Sequence, residues 1–223
     1  MSGGARALLL AKSPVPGLAK TRLGAEIGME AAAGLAAAAL LDTLAACRRA
    51  FGADRCRLAL AGDLTEGVRA DELRAALAGW TVVPQRGEDF AARLVEAHES
   101  AARDLPGPVV QIGMDTPQVT ERMLLDAAEA LEEHDGVLGP AEDGGWWVLG
   151  LRDPAQAAAI RDVPMSTRET GAATRTALER AGLRVAGTAT LRDVDTLEDA
   201  RLVAQEAPDG AFAAAWAELA VAR

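Results

Sequence analysis

Positive charge is scarce in this chain: 23 lysines and arginines stand against 33 aspartates and glutamates, giving a net charge of −10. So acidic a protein excludes general binding to nucleic acid or to an anionic membrane, since both need a basic face. Cysteine is almost missing, with Cys47 and Cys56 alone. Two cysteines without a secretory pattern predict free buried thiols in a reducing cytoplasm rather than a disulfide framework. His98 and His134 are the only histidines and fall in different helical segments, which argues against a histidine-ligated zinc site. The opening "MSGGARALLLA" carries an apolar run too short for a signal sequence or a membrane span. Both the Walker A pattern GxxxxGK[ST] and the dinucleotide fingerprint GxGxxG are absent, which disfavours a P-loop hydrolase. No Ser/His/Asp or Cys/His nucleophile set can be assembled, because Ser13, Ser100 and Ser166 pair with neither histidine in any pattern.

What is present is an alternation of short β-like and longer helix-like runs, in a chain that is 50% hydrophobic. Strands are predicted at 5–11, 55–62, 80–84, 107–113, 136–140, 146–151 and 183–187. Helices are predicted at 28–51, 65–78, 90–103 and 118–134, then a helical piece after 151, a helix ending at Gly182 and two terminal helices. Pro117 is placed at the start of the 118–134 helix, where a first turn tolerates proline. The alternation predicts an α/β fold: a single doubly wound, mostly parallel sheet with helices on both faces, forming one domain over residues 1–223. In such sheets ligands bind beyond the carboxyl ends of the strands, and the unusual residues fall there.

The first of these is "AKSPVPGLAKTRLG", residues 11–24, where Lys12, Lys20 and Arg22 gather on a Gly/Pro loop with no acid among them. Two ammonium groups and a guanidinium fork before a helix start suit phosphate. "GMDTP", 113–117, aims Asp115 at the crevice, as a ligand for Mg²⁺ or as a helix cap, with Thr116 as the other candidate cap. "GPAEDGGWWVLGL", 139–151, offers Asp143 to a metal, a ribose or an acceptor, and Gly144-Gly145 either to a ligand's close approach or to a hairpin turn. Trp146 and Trp147 alternate, one for the core and one for the crevice. "LRDVDTLED", 191–199, gives Thr196 and Asp199 as a capping box, with one of Asp193 and Asp195 facing the crevice.

Taken in order, "AKSPVPGLAKTRL", "GMDTP", "GPAEDGGWWVLGL" and "DVDTLED" resemble a bacterial family with a nucleotide-diphospho-sugar transferase (glycosyltransferase-A-like) fold, over nearly the whole chain. The layout is also similar to the 2-phospholactate and phosphoenolpyruvate guanylyltransferases and, more distantly, to the molybdenum-cofactor guanylyltransferases. The resemblance implies that Lys20 and Arg22 neutralise phosphate, with Lys12, Gly17, Thr21, Gln85 and Asp115 completing the nucleotide side. It implies Asp115 and Asp195 as ligands for Mg²⁺ or Mn²⁺, and Asp143 beside the acceptor or sugar. Gly144, Gly145, Trp146, Ser166 and Thr167 would line the acceptor side. Three departures stand out: Trp146-Trp147 where the family is tyrosine-rich, Ala91 where "QRGEDFAARL" would carry glycine, and "PMST" for Pro-Trp-Ser-Thr.

The expected activity is therefore a cytoplasmic, Mg²⁺-dependent nucleotidyl transfer from a nucleoside triphosphate to a small phosphorylated or acidic acceptor. Glycosyl transfer from a nucleotide sugar is the alternative, and a non-catalytic nucleotide-binding protein, favoured by Ala91, is the third reading. Expected partners are the nucleotide and the small acceptor, with no nucleic acid and no membrane, and alanine-faced helices compatible with a homodimer.

Overall fold

Seven apolar stretches form one sheet: β1 (Arg6–Lys12), β2 (Cys56–Ala61), β3 (Thr81–Pro84), β4 (Val109–Ile112), β5 (Gly136–Pro140), β6 (Trp146–Leu151) and β7 (Val185–Gly187). The computed structural model describes residues 4–104 and 106–221. The strand order is β3-β2-β1-β4-β6-β5-β7, and every pairing is parallel except those of β6, which runs against both β4 and β5. The predicted α/β class and mostly parallel sheet are thus what the chain forms.

β1 shows why its sequence is apolar without alternation. Ala7, Leu9 and Ala11 enter one core layer while Leu8 and Leu10 enter the other, so both faces of the strand are buried. The first layer is roofed by α2 (Met29–Phe51), α3 (Ala70–Ala76) and α5 (Glu121–Ala130). The second is roofed by α4 (Phe90–Asp104), a 3-10 segment (Pro154–Ile160) and α6 (Thr170–Arg180). A third cluster joins α1 (Thr21–Ile27), α2, α7 (Leu197–Glu206) and α8 (Ala211–Val221) through Leu23, Leu35, Val203 and Phe212. Met29–Phe51 is long and apolar enough to cross a membrane, yet 67% of its most apolar stretch is buried inside the fold. Its alanines let α2 lie close to the sheet and to α8, and Asp42 within it accepts the α8 amides of Ala211 and Phe212, both at 2.8 Å. Cys47 and Cys56 are buried free thiols, as expected.

Several boundaries differ from the sequence expectation. The helix expected over 118–134 is only Glu121–Ala130, because the Thr120 hydroxyl caps it by accepting from Met123 N. Pro117 therefore lies in the preceding loop, and neither Asp115 nor Thr116 is a cap. The 65–78 helix splits into a 3-10 turn at Leu64–Glu66, capped by Asp63, and α3, which Arg69 opens in a left-handed conformation. A short helix, α1, precedes the one expected from residue 28. The helical piece after 151 is 3-10, and the last strand shrinks to Val185–Gly187. Thr196 and Asp199 form the expected capping box at α7.

Candidate active site

Four loops converge at one end of the sheet, and backbone hydrogen bonds explain why. The segment after β7 is zipped between two others: Leu191 N donates to Pro140 O, Glu142 N to Leu191 O, and Val194 N to Asp115 O at 2.9 Å. The Gln118 amide donates to Arg192 O at 2.7 Å, and the Arg192 guanidinium pairs with both Glu142 and Asp199. These bonds carry Asp193 and Asp195 to the carboxyl end of β4, where Asp115 leaves the strand. β6 reverses direction beside it, so the β5–β6 turn places Asp143 at the same end.

That turn needs its two glycines for the protein's own packing. Gly144 has φ +92°, and a Cβ there would stand 2.1 Å from Arg168 O. Gly171 N donates to Gly144 O at 2.8 Å, and a Cβ on Gly171 would stand 2.5 Å from Gly145 O. The "AEDGG" stretch is thus a hairpin turn clamped to the 166–171 segment, and the close approach is made by backbone rather than left to a ligand. The clamp fixes Ser166, itself at φ +59°, together with Thr167 and Arg168 along the cleft. Asp143 Oδ1 accepts from Gly145 N at 2.7 Å, which holds its carboxylate at the turn.

The cleft has two chambers. One, about 410 Å³, reaches between the strands and is bounded by Leu10, Gln85, Phe90, Gln111, Trp146 and Trp147. The other, about 930 Å³, is lined by Lys12, Thr21, Arg22, Glu142 and Arg168, with Lys20 on its wall. Asp115, Asp143, Asp195, Ser166 and Thr167 border both. Trp147 is core, with its indole N–H donating to Ala189 O, while Trp146 is half-buried at the chamber, matching the expected split.

The electrostatic centre of the cleft differs from expectation. Lys20 does not stand free at the mouth of the sheet: its Nζ lies 2.6 Å from Asp115 Oδ1 and 3.0 Å from Asp195 Oδ1, and its side chain is only 10% exposed. Burial alone would lower its pKa, but the two carboxylates outweigh burial and raise it. The backbone of Lys20 is left-handed, φ 49° and ψ 47°, which turns the side chain inward rather than along α1. Arg22 is the more open cation, 83% exposed and 3.6 Å from Asp195. Lys12 is the last residue of β1 and donates to Leu18 O at 2.9 Å.

Asp193 and Asp195 do not take opposite sides; both line the cleft. Residues 192–195 are not in a strand, so the two-residue alternation has no pleat to enforce it. The Asp193 carboxyl is pushed up to about 7 by burial, then by Asp143 and Asp115, with Lys20 opposing. A carboxylate crowded by carboxylates, with one buried ammonium among them, is a donor set short of cation and fits a hard divalent ion. Among the described residues no three His, Cys, Asp or Glu side chains are placed to hold an ion together.

Of the other expected residues, Gln85 lines the narrow chamber but its amide N–H groups are committed to Ala11 O and Ala59 O. Gly17, at φ +78°, shapes the basic loop without lining either chamber. Ala91 sits buried in the first turn of α4, where alanine fits. Arg168, Glu142, Gln111, Phe90 and Arg93 line the cleft without having been singled out from the sequence. Arg168 sits in a turn tied by Thr167 N donating to the Thr170 hydroxyl at 3.0 Å.

Residues 43–167 match a family described as uncharacterized protein conserved in bacteria (DUF2064). No curated protein matches the chain in sequence. A crystal structure from Desulfovibrio desulfuricans G20, of a protein assigned to the nucleotide-diphospho-sugar transferases, is 25% identical with a TM-score of 0.85, over 96% of this chain and 94% of that one. Rv0371c from Mycobacterium tuberculosis H37Rv, solved in complex with manganese, is 23% identical with a TM-score of 0.54, over 91% and 98% of the two chains. CMP:2-keto-3-deoxy-manno-octonic acid synthetase, complexed with CTP, is 16% identical with a TM-score of 0.54, over 92% and 100%. The latter two likenesses are of fold.

Proposed function

The chain belongs to the bacterial family DUF2064, and from that premise we propose that it is a divalent-metal-dependent, nucleotide-using transferase, in its first form a nucleotidyltransferase. The observation that carries this reading is the division of the cleft: a narrow, partly aromatic chamber and a wide, charged one meet at Asp115, Asp143 and Asp195. A nucleoside triphosphate has the same division, a flat base with a sugar at one end and a polyanion at the other. Relatives of the fold include a protein complexed with CTP and another complexed with manganese, which supports a nucleotide and a divalent ion here.

In this reading Phe90 and Trp146 border the base and sugar, and Arg22, Lys12 and Arg168 bind the phosphates from the lining of the wide chamber. Asp115 and Asp195 would hold Mg²⁺ or Mn²⁺, which when bound supplies charge neutralisation at the phosphate oxygens. An oxygen of the acceptor bonds to the α-phosphorus, the α–β bridging P–O bond breaks, and pyrophosphate leaves with the electron pair. Where the acceptor oxygen carries a proton, Asp143 accepts it. Ser166 and Thr167 orient the acceptor across the shared border of the chambers. The protein's part is positioning and electrostatic stabilisation, so the absence of a nucleophile set is in keeping with the chemistry.

A second reading, glycosyl transfer from a nucleotide sugar, is favoured by the 25% identical D. desulfuricans relative. Thermal-shift measurements with Mg²⁺ or Mn²⁺, against nucleoside triphosphates and nucleotide sugars, separate the two. Stabilisation by a triphosphate, followed by pyrophosphate release once a phosphorylated or carboxylated acceptor is added, is the expected result. Selective stabilisation by one nucleotide sugar replaces the first form by the second; no response to any nucleotide overturns both.

A further inference from the structure

Lys20 is the one feature of the cleft that a phosphate-binding role does not explain. Lys20 lies on the wall of the wide chamber, but a lysine held ready for phosphate would stand open there, as the 83% exposed Arg22 does. Instead its ammonium is spent on Asp115 and Asp195, the two carboxylates proposed for the divalent ion. The arrangement is built in: a left-handed backbone at φ 49°, uncommon for a residue with a side chain, turns Lys20 inward at the first residue before α1. Gly24 N donates to Lys20 O at 2.8 Å, so Lys20 receives the first hydrogen bond of α1 and caps it.

We infer that Lys20 is the internal counter-cation of the Asp115–Asp195 pair, and that the site takes its divalent ion only as the complex of that ion with a polyphosphate. The inference rests on the proposed nucleotide reading and narrows its substrate to the metal chelate. The reason is charge balance at each step. Lys20 and a divalent ion cannot both occupy the space between the two carboxylates. If Lys20 alone swings out, its ammonium gives up both carboxylates for the open wide chamber, whose wall already carries the cations Lys12, Arg22 and Arg168. A polyphosphate arriving with the ion gives the displaced ammonium an anionic partner, and the four-carbon side chain has the reach to follow it. Free metal offers no such exchange.

The test titrates Mn²⁺ alone, followed by calorimetry and by the paramagnetic resonance of the free ion, into the wild-type chain and into Lys20→Met, Lys20→Gly and Lys20→Arg. Lys20→Gly is included because glycine adopts φ 49° without strain, so the fold is retained even if methionine perturbs it. Met and Gly are expected to bind free Mn²⁺ at least about tenfold more tightly than wild type, since one elementary charge within hydrogen-bonding distance of both carboxylates has been removed. Arg, which keeps the cation, stays near the wild-type value. Titration with magnesium tripolyphosphate is expected to give the opposite order, with wild type the tightest. Free Mn²⁺ binding that is unchanged or weaker in both Met and Gly overturns the inference while leaving the proposed function standing if wild type still binds the chelate. Failure of every form to bind either Mn²⁺ or magnesium tripolyphosphate overturns the proposed function, and the inference with it.

Discussion

Replacing Gly144 by alanine tests the clamp that holds the 166–171 segment against the cleft. Two costs add at this position. The backbone at φ +92° is one that an L-residue adopts only with strain, about 1–2 kcal/mol. The new Cβ would also stand 2.1 Å from Arg168 O, a backbone atom that can yield only if the segment moves, and such overpacking costs about 1–3 kcal/mol. Gly144→Ala is therefore expected to lose about 2–5 kcal/mol. Two other glycines separate the terms. Gly17, at φ +78° with nothing within 4 Å, carries the strain without the overlap, so Gly17→Ala should lose about 1 kcal/mol. Gly171, in α6 with its Cβ site 2.5 Å from Gly145 O, carries the overlap without the strain, and the better helix propensity of alanine offsets up to about 1 kcal/mol of it. Urea unfolding of the three variants at neutral pH measures the differences, with unchanged slopes marking a change of stability rather than of compactness. Gly144→Ala should also lose nucleotide affinity, since moving residue 168 moves one wall of the charged chamber. A Gly144→Ala midpoint no lower than that of Gly17→Ala would refute the clamp.

Arg168→Ala should weaken triphosphate binding about tenfold, the worth of one charge-assisted contact, without changing the ligand-free melting temperature; equal affinity to wild type removes Arg168 from the phosphate wall. His98 is fully buried, and burial pushes its pKa down to about 4, with Gln111 opposing and Arg6 adding to the shift. Its unfolded value is near 6.5, so the unfolded chain binds more protons between the two. Stability contributed by the neutral ring is thus complete above about pH 6.5 and falls as pH drops toward 4, by up to about 3 kcal/mol. Unfolding curves of wild type and His98→Gln across that range should converge as pH falls; a constant gap contradicts the assignment. Asp42→Ala should cost about 1–2 kcal/mol and release the first α8 amides, seen as loss of hydrogen-exchange protection at Ala211 and Phe212 but not in β1.

The sheet is legible because its signals are local: "ALLLA", "VVQI" and "WWVLGL" are largely apolar runs bounded by charged residues, Gly or Pro, and each forms a strand within one or two residues. The positions of Asp115 and Asp143 followed from strand ends for the same reason. What was not legible depends on bonds between distant residues. Nothing near Asp193 announces that Val194 N will donate to Asp115 O, and without that bond the alternation along "RDVD" suggested one carboxylate in the cleft instead of two. Lys20 was read by its charge, which suits phosphate; its inward course depends on a left-handed φ that no residue type at that position foretells. Gly144-Gly145 signals either a ligand's close approach or a tight turn, and the backbone that comes close to Gly144 is that of Arg168, which only the tertiary structure supplies. The 121–130 helix shows the opposite case: Thr120 is an ordinary cap signal in the sequence itself, competing with Pro117 three residues before it.

The grip of Asp42 on α8 has a bearing on how the protein is made. α2 is made well ahead of α8, Asp42 and Ala211 being 169 positions apart, and one of its apolar faces, carrying Leu35, Ala38 and Ala39, packs with Val203 of α7 and Phe212 of α8. Until α7 and α8 follow, the nascent chain carries a partly uncovered greasy stripe on α2. Closing that stripe waits on α7 and α8, and the same carboxylate that then receives the α8 amides stands half-buried beside it.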